Sequence, residues 1–201
     1  DFVAAYSAFA TGGMAVEPRY ITRIEDRAGR VVYSATESQR RRALDPRVAY
    51  IVRDMLREAA ERGSGAAARY IVPPHVALAG KTGTTNDNAD VWFVGMTPTL
   101  VAGVWLGFDK PKTIMPGAGG GALAAPIWAT MVKRYYGSGG AGEWALPPDI
   151  VSAEMDRATG SLADESTPSE RRYIEYFLPG TEPPLLHVNP WRFPTMGPML
   201  R

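Results

Sequence analysis

Lys81, Thr82, Gly83, Thr84 and Thr85 form the group best equipped for chemistry, directly after the apolar run Val76-Ala77-Leu78-Ala79. A lysine among hydroxyl residues offers a cation and hydrogen-bond donors, the equipment that holds a carboxylate. The apolar run reads as a brief strand leading into the group. On a strand, Lys81 and Gly83 fall on one face and Thr82 and Thr84 on the other. Gly83 carries no side chain, which leaves room for another backbone. Backbone N–H groups at a strand edge add fixed donors for an oxyanion, so the stretch suits an anion-reading edge in an acyl-transfer site. A bare Lys-Thr-Gly is a weak signal by itself. Its surroundings have to decide.

Other candidate chemistries find less support. His75 and His187 lie in unrelated loop contexts, too few for a histidine metal site or a Ser-His-Asp triad, so no metal is expected. Asp87 with Asp90, and Glu25 with Asp26, are explained as turn formers rather than as a glycosidase pair. The glycine-rich run 117–121 lacks the Lys-Ser/Thr ending of a phosphate loop and reads as a plain loop. Tyr135, Tyr136 and Trp144 read as residues capping a core or packing under the tail.

The elements that must position the group follow from periodicity. Residues 2–10 have bulky side chains at 2, 3, 6 and 9, a helical spacing, with Asp1 as N-cap and Gly12-Gly13 as the stop. Met14 to Ile24 and Val31 to Tyr33 read as extended runs of a hairpin, with Gly29 in the loop. Arg40-Arg41-Arg42 reads as a solvated loop. Asp45 as N-cap and Pro46 at the first helical position open a helix with Val48, Ile51, Val52, Met55, Leu56 and Ala59 on its inner face. Gly63 stops it. Val91 to Gly95 is apolar on both faces and so a central strand, and Leu100 to Phe108 is a third, making residues 76–108 an antiparallel meander. A helix over 124–136 buries Ile127, Met131 and Val132. The fold class is therefore α+β, an antiparallel sheet with packed helices. Domain bounds are expected at 1–136, and at 137–201 for a Pro/Gly-rich extension wrapped on the surface or partly disordered, with one hairpin around residues 156–160.

Composition narrows the partners. Lys+Arg number 22 against Asp+Glu 21, a net charge of +1, so no long-range field points to nucleic acid. Cysteine is absent, which excludes disulfides, thiolate nucleophiles and Cys-type zinc sites. No stretch approaches the ~20 apolar residues of a bilayer span. A start inside a helix predicts that the chain is a fragment.

Lys-Thr-Gly is one of three motifs of penicillin-binding proteins and class A β-lactamases, beside Ser-x-x-Lys and Ser-Asp-Asn. The neighbouring sequence makes this specific. Arg62-Gly63-Ser64-Gly65, then residues 79–95 and 101–107, resembles the bifunctional class A penicillin-binding proteins. So do residues 8–18, Ala124-Ala125-Pro126-Ile127-Trp128, and the tail segments 156–163 and 176–183, all in the right order. The context argues against a β-lactamase-like hydrolase. The four lysines, Lys81, Lys110, Lys112 and Lys133, follow Leu78, Gly107, Asp109 and Thr130 at three residues' distance, so Ser-x-x-Lys is absent. Asn86, Asn88 and Asn189 follow Thr84, Asn86 and His187 at two, so Ser-x-Asn is absent too.

The resemblance implies the C-terminal part of a D,D-transpeptidase domain, cut after the second motif. In that family a serine attacks the D-Ala-D-Ala end of a peptidoglycan stem peptide and passes the acyl group to an amine; β-lactams mimic the substrate. Carried over, Lys81 would add positive potential and Thr84 N–H would be one oxyanion donor. Thr82, Gly83, Thr84 and Thr85 would bind substrate, with Asp90, Trp92 and Phe93 as turn and packing residues. No cofactor is implied. Stem peptide, β-lactams and the missing N-terminal part of the protein are the expected partners, and a membrane-anchored parent facing the periplasm is the expected setting. The alternative is a non-catalytic module that holds peptidoglycan or a partner on a similar sheet.

Overall fold

The computed structural model of the chain describes residues 1–36 and 38–185; His187 and Asn189 lie outside them. Two compact units are present, Asp1–Pro148 and a second beginning at Asp149.

In the first unit, α1 (Phe2–Ala10) begins after Asp1, whose side chain makes no capping bond, and buries Ser7, Ala8 and Ala10. The run 14–24 is not one strand but two. β1 (Met14–Val16) pairs with β4 (Arg40–Arg42), while β2 (Arg23–Glu25) pairs with β3 (Val31–Ser34). The arginine run expected as a loop is thus a strand, because its backbone completes the ladder of β1 while all three side chains stay in solvent. The expected β2–β3 hairpin is present. Asp26 Oδ1 accepts the N–H groups of Ala28 and Arg30 at 2.8 and 3.0 Å, and Gly29 takes φ +78°.

α2 (Pro46–Glu61) starts as its sequence dictates: Asp45 accepts from Arg47 N at 2.8 Å and proline occupies the first turn. Its inner face differs from the expected one. Met55 is 59 % exposed and Val48 lies outside as well, whereas Ala49, Arg53, Asp54 and Ala60 are buried. Guanidinium stacking on aromatic rings and an Arg57–Asp54 ion pair let charged residues face inward, which hydrophobic periodicity does not anticipate.

The three-stranded meander is built from β5 (Ala79–Thr84), β6 (Val91–Met96) and β7 (Val101–Leu106), in that order. Its first strand starts later than expected. Residues 76–78 form a turn and entry segment, since Val76 N–H is spent on Pro73 O, and the strand is the Lys-Thr-Gly stretch itself. Val76 and Leu78 are nevertheless fully buried and serve the core. A single π-turn (Gly120–Ala124) leads into α3 (Ala125–Tyr136). On α3 the buried residues are Ala125, Trp128, Ala129 and Val132, while Ile127 and Met131 are exposed. The helix is rotated so that the largest ring enters the core, where Trp128 meets Phe93 edge-to-face at 5.4 Å.

In the second unit, β8 (Val151–Asp156) pairs with β9 (Arg172–Phe177) along six residues. A tight turn at 156–160 is also present, with Gly160 N–H on Asp156 O at 2.8 Å, but a longer excursion separates it from the pairing strand. Asp156 accepts Arg171 Nε at 2.9 Å and is buried.

Candidate functional site

β5 is an edge strand of the β5–β6–β7 sheet, hydrogen-bonded on one side to β6 in unbroken register from Ala79↔Met96 to Thr84↔Val91. Thr85 N–H continues this ladder to Asp90 O at 3.0 Å. Peptide groups alternate along an antiparallel strand, so residues 81, 83 and 85 point theirs toward β6, while Gly80, Thr82 and Thr84 point theirs to the unpaired edge. Thr84 N–H is therefore an outward-facing donor. Lys81 Nζ reaches round to Thr82 O at 2.8 Å, which agrees with that carbonyl lying off the ladder.

The side chains of the stretch are tied down unequally. Thr82 Oγ1 shares a 2.7 Å hydrogen bond with Ser64 Oγ from the turn after α2. Thr84 Oγ1 accepts Gly120 N–H at 3.2 Å, which leaves its own proton free to donate outward. Thr85 Oγ1 accepts Asp90 N–H at 2.8 Å and so closes the turn. Asp90 in turn accepts Trp105 Nε1 at 2.9 Å. Lys81 and Thr84 are exposed and Thr82 and Gly83 half-buried, a lysine and two hydroxyls along one open strand edge. An ammonium beside hydroxyl donors holds a carboxylate, and an outward N–H stabilises an oxyanion.

Residues that sequence reasoning passed over shape this edge. Gly120 lies flat on β5 and β6: a Cβ there would meet Trp92 O at 2.1 Å and Gly83 O at 2.7 Å. The glycine loop thus comes close to the Gly83 backbone through the missing side chain of Gly120, while a Cβ on Gly83 would meet only Trp92. Gly121 is pressed on Ser64 O in the same way, at 2.0 Å. The signal in the sequence was the glycine run itself, which is explained by close backbone contact rather than by a phosphate. Among the described residues no group of three or more His, Asp or Glu side chains is arranged to hold a metal ion.

Comparison with known proteins decides the family. Residues 1–133 match the penicillin binding protein transpeptidase domain, and residues 146–184 match the C-terminal domain of penicillin-binding protein 1A. The chain belongs to the penicillin-binding protein transpeptidase family. Penicillin-binding protein 1A of Pseudomonas aeruginosa is 32% identical over 244 residues, covering 96% of this chain and 29% of that protein. Penicillin-binding protein 1A of Neisseria gonorrhoeae is 40% identical over 158 residues, covering 74% of this chain and 19% of that protein. The crystal structure of penicillin-binding protein 1A from Haemophilus influenzae superposes with a TM-score of 0.76 at 25% identity, over 90% of this chain and 32% of that one. The chain thus spans less than a third of the length of these relatives. Most of it matches the transpeptidase domain of these relatives, and its α+β fold is the one expected.

Proposed function

We propose that this chain supplies the substrate-carboxylate wall of a serine-type D-Ala-D-Ala transpeptidase that cross-links peptidoglycan stem peptides at the periplasmic face of the inner membrane. The observation that carries the reading is the unpaired edge of β5, where Lys81, the free Thr84 hydroxyl proton and the outward Thr84 N–H lie together. Thr82 and Thr84 hydroxyls bind the terminal carboxylate of the donor peptide, or of a β-lactam. Lys81 adds positive potential. Thr84 N–H takes one side of the developing oxyanion, and the edge around Gly83 receives the substrate backbone as an added strand. Thr85 supports the edge through its turn with Asp90.

The nucleophilic serine and its lysine base belong to polypeptide outside these 201 residues, since neither Ser-x-x-Lys nor Ser-x-Asn occurs within them. The first compact unit, Asp1–Pro148, serves the transpeptidase site, and the unit that begins at Asp149 acts as an extension. Fluorescent penicillin labelling tests both statements. In the full-length protein, Lys81→Ala is expected to slow acylation by about 10²–10³-fold, the scale of losing one electrostatic stabiliser. The 201-residue chain alone is expected to stay unlabelled. Unchanged acylation in the variant would remove Lys81 from the site, and a covalent adduct on the isolated chain would refute the assignment of the serine.

A further inference from the structure

A second site lies apart from the unpaired edge of β5. Between α2 and the segment that carries Trp144, the first unit holds a partly open cavity of about 170 Å³. Arg53 in its wall is only 5 % exposed. Its guanidinium is held between the rings of Tyr50 and Trp144, at 4.5 and 4.8 Å from their centroids. No carboxylate among the described residues stands within ion-pair distance of it. The neighbouring Asp54 is already engaged by Arg57 at 2.7 Å. Two more donors in the same walls, Arg57 Nε and Trp144 Nε1, are buried with no acceptor. Burial pushes the Arg53 guanidinium down from its ordinary value, and the neighbouring Tyr50 and Asp54 offset that loss of water only in part.

We propose that this cavity is a binding site for a single carboxylate, with the Arg53 guanidinium as its anchor. Several observations select that ligand class. A buried guanidinium fork matches a planar carboxylate in two parallel hydrogen bonds. The ring faces of Tyr50 and Trp144 already hold that fork in place, so little side-chain freedom is lost on binding. Asp54, Glu61 and Glu143 line the cavity together with Arg53, Arg57 and Arg69. Arg57 is paired with Asp54 and Arg69 faces Glu61, so Arg53 is the cation left to balance one negative charge, and a dianion such as phosphate would leave charge uncompensated. The cavity volume admits a short acid and little more.

The carboxylate could come from a small free acid or from an Asp or Glu side chain of polypeptide packed on this face, and one experiment separates the sources. Thermal unfolding of the full chain is followed with sodium acetate, with an N-acetylated and amidated Ala-Glu-Ala peptide, and with sodium chloride at the same ionic strength. Both carboxylate probes are expected to raise Tm above the chloride control, and Arg53→Met, close in volume and uncharged, is expected to abolish the rise. Arg53→Lys keeps the charge but loses the fork, and is expected to weaken binding by about tenfold or more, the worth of one charge-assisted hydrogen bond. It also serves if the methionine variant does not fold. A rise with acetate alone assigns a free acid, and a rise with the peptide alone assigns a side chain. Equal Tm in acetate, peptide and chloride, or a rise that survives in both Arg53 variants, overturns the proposal.

Discussion

The β5–β6–β7 sheet and the β2–β3 hairpin are both antiparallel ladders joined by turns, yet different forces hold them. In the sheet, β6 is buried along nearly its whole length, and Phe93, Val94 and Met96 lose essentially all contact with water. In the hairpin every residue of both strands is exposed. Its order comes from local devices: the Asp26 carboxylate on two backbone N–H groups, the Arg30–Asp26 ion pair at 2.7 Å, and Gly29 in the left-handed region. Their glycines differ accordingly. A Cβ on Gly95 would lie 2.4 Å from the Trp128 ring, whereas one on Gly29 meets nothing within 4 Å. The sheet uses glycine for space and the hairpin uses it for backbone angle. The sheet is anchored by packing, while the hairpin's turn is fixed by bonds within the turn itself.

The widest gap between the two regions is expected on truncating side chains. Trp128→Ala should cost ~3–5 kcal/mol, as for other large buried aromatics. Val32→Ala, on the exposed hairpin, should stay within ~0.5 kcal/mol. Urea unfolding measures both, and similar losses would abolish the distinction. A finer separation comes from the glycines. Gly120→Ala is expected to cost ~1–3 kcal/mol, because its Cβ meets backbone atoms of β5 and β6 that cannot yield as a flexible side chain does. Asparagine tolerates the left-handed region but not lost space. Gly29→Asn should therefore unfold close to wild type while Gly120→Asn behaves like the alanine variant. If both asparagine variants were equally stable, Gly120 would not be a packing residue.

The smallest effect concerns pH. Asp45 at the start of α2 is held down to about 2, first by its side-chain bond to Arg47 and then by the Arg47 N–H. Asp26 in the hairpin is lowered too, chiefly by the Arg30 backbone N–H. A carboxyl lowered on folding contributes stability above its ordinary value near 3.8 and loses it as pH falls through the folded value. Amide hydrogen exchange between pH 4 and 2 should thus speed up first in the hairpin and the first turn of α2, beyond the intrinsic pH dependence. Asp45→Asn keeps a capping acceptor and should flatten that response at α2. Uniform acceleration across the β5–β6–β7 sheet would show that the carboxyls act globally instead.

Much of this was legible in the chain. Asp45-Pro46 marks the start of α2 because capping and the proline ring act within one turn. Gly29 with Asp26 marks a hairpin for the same reason. The unbroken apolar run at Val91 marks β6 as central, since only a strand covered on both faces is apolar on both. Lys81, Thr82, Gly83 and Thr84 were recognisable as a group by residue type and spacing, and their family by the order of the surrounding segments. Ser64 and Gly120 were not, because each acts on a strand more than fifteen residues away.

By itself, then, the sequence determined the local turns and caps, the central strand, the family, and the presence of a cation and hydroxyls on one short stretch. These depend on contacts between near neighbours or on residue order. Tertiary structure alone decided which face of α2 and α3 turns inward, where β5 begins, and what lies over it. Helical periodicity cannot foresee a stacked Arg53 or a core-seeking Trp128, because the energies that rotate those helices come from Trp144 and Phe93 on distant parts of the chain. The open edge at Thr84 is likewise a fact of strand order. A residue faces solvent or a partner according to which strand pairs beside it, and that is settled only when the sheet is assembled.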